Sequence, residues 1–149
     1  MKYFICVLDS ISFKSLCYKS LCYLGIPADH IERIIPADRA LGAVHETEGE
    51  EAIVSIPALL KLKEQTAPNG LILKTPGPVK NMLLSPKIDV ELEIPEDDIY
   101  SLPEALAEGL RFLRGAFFTE QKLILILDPQ KLIESVAQGE CLSHGENND

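Results

Sequence analysis

Apolar and polar positions alternate in short runs along the chain, with turn residues about every ten positions, and most of the runs have strand character. "KYFICVLD" is a continuous apolar run ending at Asp9; it predicts a strand buried on both faces. "KIDVELEI" alternates cleanly, with Ile88, Val90, Leu92 and Ile94 on one side and Asp89, Glu91 and Glu93 on the other. That pattern predicts a strand with one face on a core and one in water. "AIVSIP" predicts a strand of branched residues closed by Pro57, and "ALLKLKEQ" a turn of helix after it. "LILK" and "VKNMLL", separated by "TPGP", predict two strands joined by a Pro-Gly turn.

The clearest stretch is 114–133, "RGAFFTEQKLILILDPQKLI". Phe112, Arg114, Ala116 and Phe118 alternate with Leu113, Gly115 and Phe117, "TEQK" turns the chain, and "LILIL" predicts a buried strand. Asp128 suits a helix cap, Pro129 the first helical position, and Leu132, Ile133 and Val136 an apolar stripe. Upstream, "SLPEALAEG" has capping-box spacing between Ser101 and Glu104. Ser15-Leu16-Cys17-Tyr18 recurs as Ser20-Leu21-Cys22-Tyr23. A shift of five fits neither the strand nor the helix period, so it reads as a lengthened hairpin loop whose second copy enters the next strand. The tally of eight to ten short strands and two short helices points to a mostly β barrel or sandwich and away from a doubly wound sheet.

Composition narrows the function classes. The 149 residues carry a net charge of −9, so the basic stripe that nucleic acid or an anionic membrane surface needs is missing. The start, "MKYFICVLDS", is too short for a secretion signal, and no apolar run approaches the ~20 residues of a membrane span. A cytoplasmic address with four reduced cysteines follows.

Candidate chemistry is sparse. His30, His45 and His144 form no helical metal pair. A Cys17/Cys22/His30 metal site has an unusual cysteine spacing and lacks an evident fourth ligand. There is no Gly-x-Ser-x-Gly, and "PGP" puts prolines where a phosphate loop needs backbone donors. Asp97-Asp98, "VELE" and "ETEGEE" read as solvated carboxylates. No catalytic residue, metal or cofactor is expected.

The stretch "LRFLRGAFFTEQKLILILDPQKLI" resembles the closing strand pair and helix of CheW-like domains, the proteins that couple chemoreceptors to the chemotaxis histidine kinase. Gly115, the run Lys122–Leu127, Asp128 and Lys131-Leu132 carry the likeness. "YFICVLD", "CYLGIPADHIERIIP", "AIVSIPALLKL", "NGLILK" and "VKNMLL" follow in the family's order. The resemblance implies two small five-stranded SH3-like or OB-like β-barrels sharing an apolar interface, with a C-terminal helix. Residues 1–138 would form one domain of two intertwined subdomains, and 139–149 a disordered tail. It further implies a non-enzymatic adaptor that binds the kinase's regulatory domain, the receptor's signalling tip, or both. A small-ligand sensor using the cleft between the barrels, and a redox protein using the cysteines, are the alternatives.

Two positions carry across. Ile31 matches an apolar position beside the family's receptor groove, and Gly115 the closing-strand glycine near it. An isoleucine there also suits the core, and a glycine there also suits tight packing or a bulge. One departure stands out. Where the family commonly has Arg-Gly before the strand ending in Pro, this chain has "HETEGEEAIVSIP", with Gly49, no arginine and many carboxylates. Such a change repels a partner bearing a complementary acidic group.

Overall fold

The computed structural model describes residues 1–9, 21–38, 52–62, 65–74, 81–104, 110–120 and 122–137. Nine strands are present among them: β1 (Lys2–Asp9), β2 (Leu21–Pro27), β3 (Ile31–Pro36), β4 (Ala52–Ser55), β5 (Asn69–Leu73), β6 (Asn81–Ser85), β7 (Lys87–Glu93), β8 (Leu113–Thr119) and β9 (Lys122–Leu127). Short helices accompany them, among them α1 (Ile56–Leu59) and α2 (Pro129–Ala137). The mostly β class with a C-terminal helix is as expected.

The strands form two sheets, a five-stranded one in the order β7-β1-β2-β9-β8 and a four-stranded one in the order β3-β5-β6-β4. The second sheet comes from the middle of the chain, while the first joins its two ends: β9 lies parallel to β2, with Tyr23 opposite Ile124 and Gly25 opposite Ile126. The expected barrels differ in detail. The second sheet shows four strands, and neither hydrogen-bonded order closes on itself among the described residues.

Period-two burial explains the assembly. In β1, Cys6 and Leu8 face one side and Tyr3 and Ile5 the other, and all four are buried. Cys6, Leu8, Leu24, Ile26 and Leu127 of the first sheet meet Ile31, Val54, Leu71, Leu73 and Leu83 of the second in one shared core, which Leu132 of α2 also enters. On its other face the first sheet has a cluster of its own, Tyr3, Ile5, Ile94, Ile124 and Ile126. Ile72 and Met82 begin the corresponding cluster of the second sheet. An apolar run such as "KYFICVLD" is therefore buried on both faces because each sheet has two interiors.

Several local expectations change on contact with the fold. The helix after β4 begins at Ile56, earlier than "ALLKLKEQ" suggests, because the Ser55 hydroxyl accepts the Ala58 N–H at 3.4 Å and Pro57 suits a first turn. Leu92 of β7 and Ile94 just beyond it enter the first sheet's own cluster while Ile88 packs on the shared core, and the pairing of β7 with β1 shifts register between Ile88 and Leu92. The alternation through β8 is interrupted by a bulge: Leu113 pairs with Leu127 and Gly115 with Ile126, leaving Arg114 as the extra residue. Asp128 caps α2 as expected, its Oδ1 accepting the N–H groups of Gln130 (3.1 Å) and Lys131 (3.2 Å).

The echo up to Ser20, the acidic stretch 46–51 with Gly49, the "TPGP" turn, residues 105–109 of "SLPEALAEG" and the tail all lie outside the described residues. Leu21–Tyr23, the rest of the second copy, does open β2, and β1 and β2 pair antiparallel.

Candidate partner-binding surface

The β8–β9 hairpin carries the most distinctive surface. Thr119 pairs with Lys122 across the turn, and Glu120 takes a left-handed φ of 48° to close it. Phe117 and Ile124 form a cross-strand pair that points into the first sheet's own cluster. The next pair, Phe118 and Leu123, points to the opposite side and is exposed, 62% and 45% respectively. Leu125 and Leu127 on this side of β9 reach the shared core. The stripe Leu123–Leu125–Leu127 thus starts inside the molecule and runs out of it. "LILIL" is not buried throughout, because the second sheet does not extend over its first residue.

Tyr100 enlarges this surface. It forms a two-residue bridge with β8: its N–H donates to the Ala116 carbonyl (2.8 Å), and the Ala116 N–H donates to its own carbonyl (2.9 Å). Its ring, 63% exposed, meets the Phe118 ring edge-on with centroids 6.3 Å apart. Tyr100, Phe118 and Leu123 together make an exposed apolar patch of the kind that marks interaction sites. Composition alone could not have located it, since Tyr100 and Phe118 are eighteen positions apart in the chain.

Gly115 makes the bridge possible. A Cβ there would lie 2.5 Å from the Tyr100 carbonyl oxygen and 2.7 Å from Ile99 Cγ2. No side chain fits between β8 and the crossing segment. Arg114, re-aimed by the bulge, fastens the same segment from the other side. Its guanidinium donates to both carboxylate oxygens of Glu96 and to the Tyr3 hydroxyl at 3.1 Å. The Arg114 hydrogen bond holds the Glu96 carboxyl below its usual range.

Ile31 lies elsewhere. It opens β3 of the second sheet, opposite Leu73, and is only 7% exposed within the shared core. The fold therefore places the two sequence-derived positions on different sheets, with Gly115 beneath the aromatic patch and Ile31 in the interior.

Hollows open on the first sheet. A groove of ≈ 560 Å³ is lined by Asp98, Tyr100, Phe117 and Phe118. A smaller cavity of ≈ 180 Å³ lies among Ile5, Tyr23, Asp89, Leu92, Thr119, Glu120, Lys122 and Ile124. At its rim the Lys122 ammonium sits 5.2 Å from the centre of the Tyr23 ring.

The two described cysteines, Cys6 and Cys22, are poorly placed for redox chemistry. Burial pushes the Cys6 thiol up to about 11, with the Ser85 hydroxyl pulling the other way, and burial also raises Cys22. Thiols so placed are poor nucleophiles at neutral pH. Cys22 packs on the shared core while His30 is exposed, and Cys17 lies outside the described residues. No group of three or more His, Cys, Asp or Glu suited to a metal occurs among the described residues. No helix among them is long and apolar enough to cross a membrane.

No family model matches the sequence, and no curated protein matches it. The fold does match solved structures. Among them is the crystal structure of the scaffolding protein TtCheW from Thermoanaerobacter tengcongensis, similar over 85% of this chain and 89% of that one, with a TM-score of 0.54 and 12% identity. The fold is CheW-like. The likeness expected from the order of the strands and from the C-terminal stretch is thus present in three dimensions, although few residues are shared. At this identity the match speaks for the arrangement of the CheW-like sheets and leaves function to the surface.

Proposed function

We propose that this chain is a non-enzymatic adaptor of chemotaxis-type signal transduction, working in the cytoplasm without a cofactor. It joins the regulatory domain of a histidine kinase to the signalling tip of a chemoreceptor or to a related partner. The observation that carries this reading is the exposed Tyr100–Phe118–Leu123 patch on a fold shared with a scaffolding protein. Binding surfaces draw their affinity from a few exposed aromatic anchors in a polar setting, and this patch has that make-up. In this reading Gly115 acts by admitting Tyr100 to β8, and Ile31 supports the surface from within the shared core. The acidic stretch in place of the family's arginine means that the receptor-side partner has a charge pattern different from the usual one.

The test is a pull-down of the purified chain with the regulatory domain of the chemotaxis kinase from the same organism. The wild type is expected to retain the domain. Phe118→Ser and Tyr100→Ser are expected to lose it while melting like the wild type. Failure of the wild-type chain to bind, or full binding by both variants, counts against the proposal.

A further inference from the structure

The two edges of the first sheet are protected differently. The β7 edge carries Asp89, Glu91 and Glu93, charges of the kind that discourage pairing with another chain. The β8 edge is covered over its inner half by Tyr100, which takes both the N–H and the C=O of Ala116. Strand geometry repeats every two residues, so the N–H and C=O of Phe118 point to the same outer side as those of Ala116. Among the described residues no backbone group bonds to them there. The crossing segment cannot continue along β8, because Glu96–Asp98 is wound into a 3₁₀ turn. What remains beside Phe118 is the groove lined by Asp98, Tyr100, Phe117 and Phe118.

We propose that the outer half of β8 is a strand-addition site, which takes an extended partner segment in which lysine or arginine alternates with apolar residues. The inference rests on the reading that this face binds other proteins, and it names how the partner binds. Main-chain pairing would come from Phe118, and the apolar side chains of the added strand would lie on the Tyr100 and Phe118 rings. Charge selects the occupant. Asp98 lines the groove, its chain neighbour Asp97 is exposed beside it, and neither is in the ion pairs seen among the described residues; Glu96 is already held by Arg114. A second copy of this chain is a poor occupant, since it would bring a net charge of −9 against the same charge.

The experiment titrates the isotope-labelled chain with an acetylated, amidated peptide of alternating lysine and valine, followed by amide NMR. Saturable shifts centred on Phe118 are expected, with slowed exchange of its amide proton. A peptide with glutamate in place of lysine should not bind, and neither should the lysine peptide N-methylated at every residue, which has no N–H left on either edge to pair as a strand. Phe118→Pro removes the outward N–H at an edge position that tolerates proline, and should weaken binding about fivefold or more relative to Phe118→Ala. Equal binding of the N-methylated peptide, shifts centred elsewhere, no saturable binding, or concentration-dependent dimerisation through β8 would each overturn the proposal. Should the lysine peptide fail while the kinase regulatory domain still binds and Phe118→Ser still abolishes that binding, strand addition falls and the adaptor reading stands. Failure of both removes the two together.

Discussion

No large apolar side chain among the described residues of the second sheet is exposed, whereas the first sheet and its crossing segment leave Leu21, Tyr100, Phe118 and Leu123 in water. Both sheets press one face on the shared core, and both have an interior cluster of their own. The difference is largest at the β8–β9 hairpin, where the Phe118–Leu123 pair and the neighbouring Tyr100 stay exposed. The contrast separates two tasks. The second sheet completes the core, and the first both completes it and offers a surface.

Ile31→Glu tests the first half of this contrast most severely. Ile31 is buried in β3, so a carboxylate there should cost about 3 kcal/mol or more and unfold the chain. A circular dichroism melt close to that of the wild type would show that β3 is not sealed, and the two sheets would then be alike. Gly115→Ala comes next. The new methyl collides with the Tyr100 carbonyl, and overpacking of this sort costs about 1–3 kcal/mol. Faster exchange of the Tyr100 and Ala116 amide protons would report loss of the bridge; unchanged exchange would mean that the segment is held without it.

The Glu96–Arg114 contact gives a pH signature. The Glu96 carboxyl is lowered from its usual 4.5, chiefly by the Arg114 hydrogen bond. A depressed carboxyl contributes stability that is complete above its unfolded value and is lost as pH falls through the lower folded value. The melting temperature of the wild type should therefore fall in acid below that ordinary value, and Glu96→Gln should flatten this part of the profile. Identical acid limbs would show that the 3₁₀ segment is fastened to β8 by other means. The smallest effect is expected at the surface itself. Phe118→Ser should leave stability within about 0.5 kcal/mol of the wild type, measured by urea denaturation. A larger loss would mean that Phe118 belongs to the core after all, which would erase the contrast between the sheets.

Much of this was legible in the sequence where the signal was local. The apolar run at β1, the Asp128-Pro129 cap of α2 and the turn between β8 and β9 all appear where residue type and spacing place them. The bulge was legible only as one of two uses of Gly115, tight packing or a bulge; that Arg114 is the extra residue, and that Gly115 makes room for Tyr100, was not, because "LRGAFF" by itself reads as regular alternation. Nor was the exposure of Leu123 and Phe118. A leucine in "LILIL" and a phenylalanine in "GAFF" carry the same local pattern whether or not another element covers them. Ile31 shows the converse: its position suited a groove or the core, and only the partner strand β5 decides for the core.

By itself the sequence determined which segments would be strands, where several of them would turn and that the first would be buried on both faces, because these follow from backbone geometry and side-chain polarity over a few residues. Tertiary structure alone decided the parallel pairing of β2 with β9, the arrival of Tyr100 on β8 and the apolar residues left in water. Those outcomes depend on which distant segment covers which face, and burial is a property of the cover as much as of the residue.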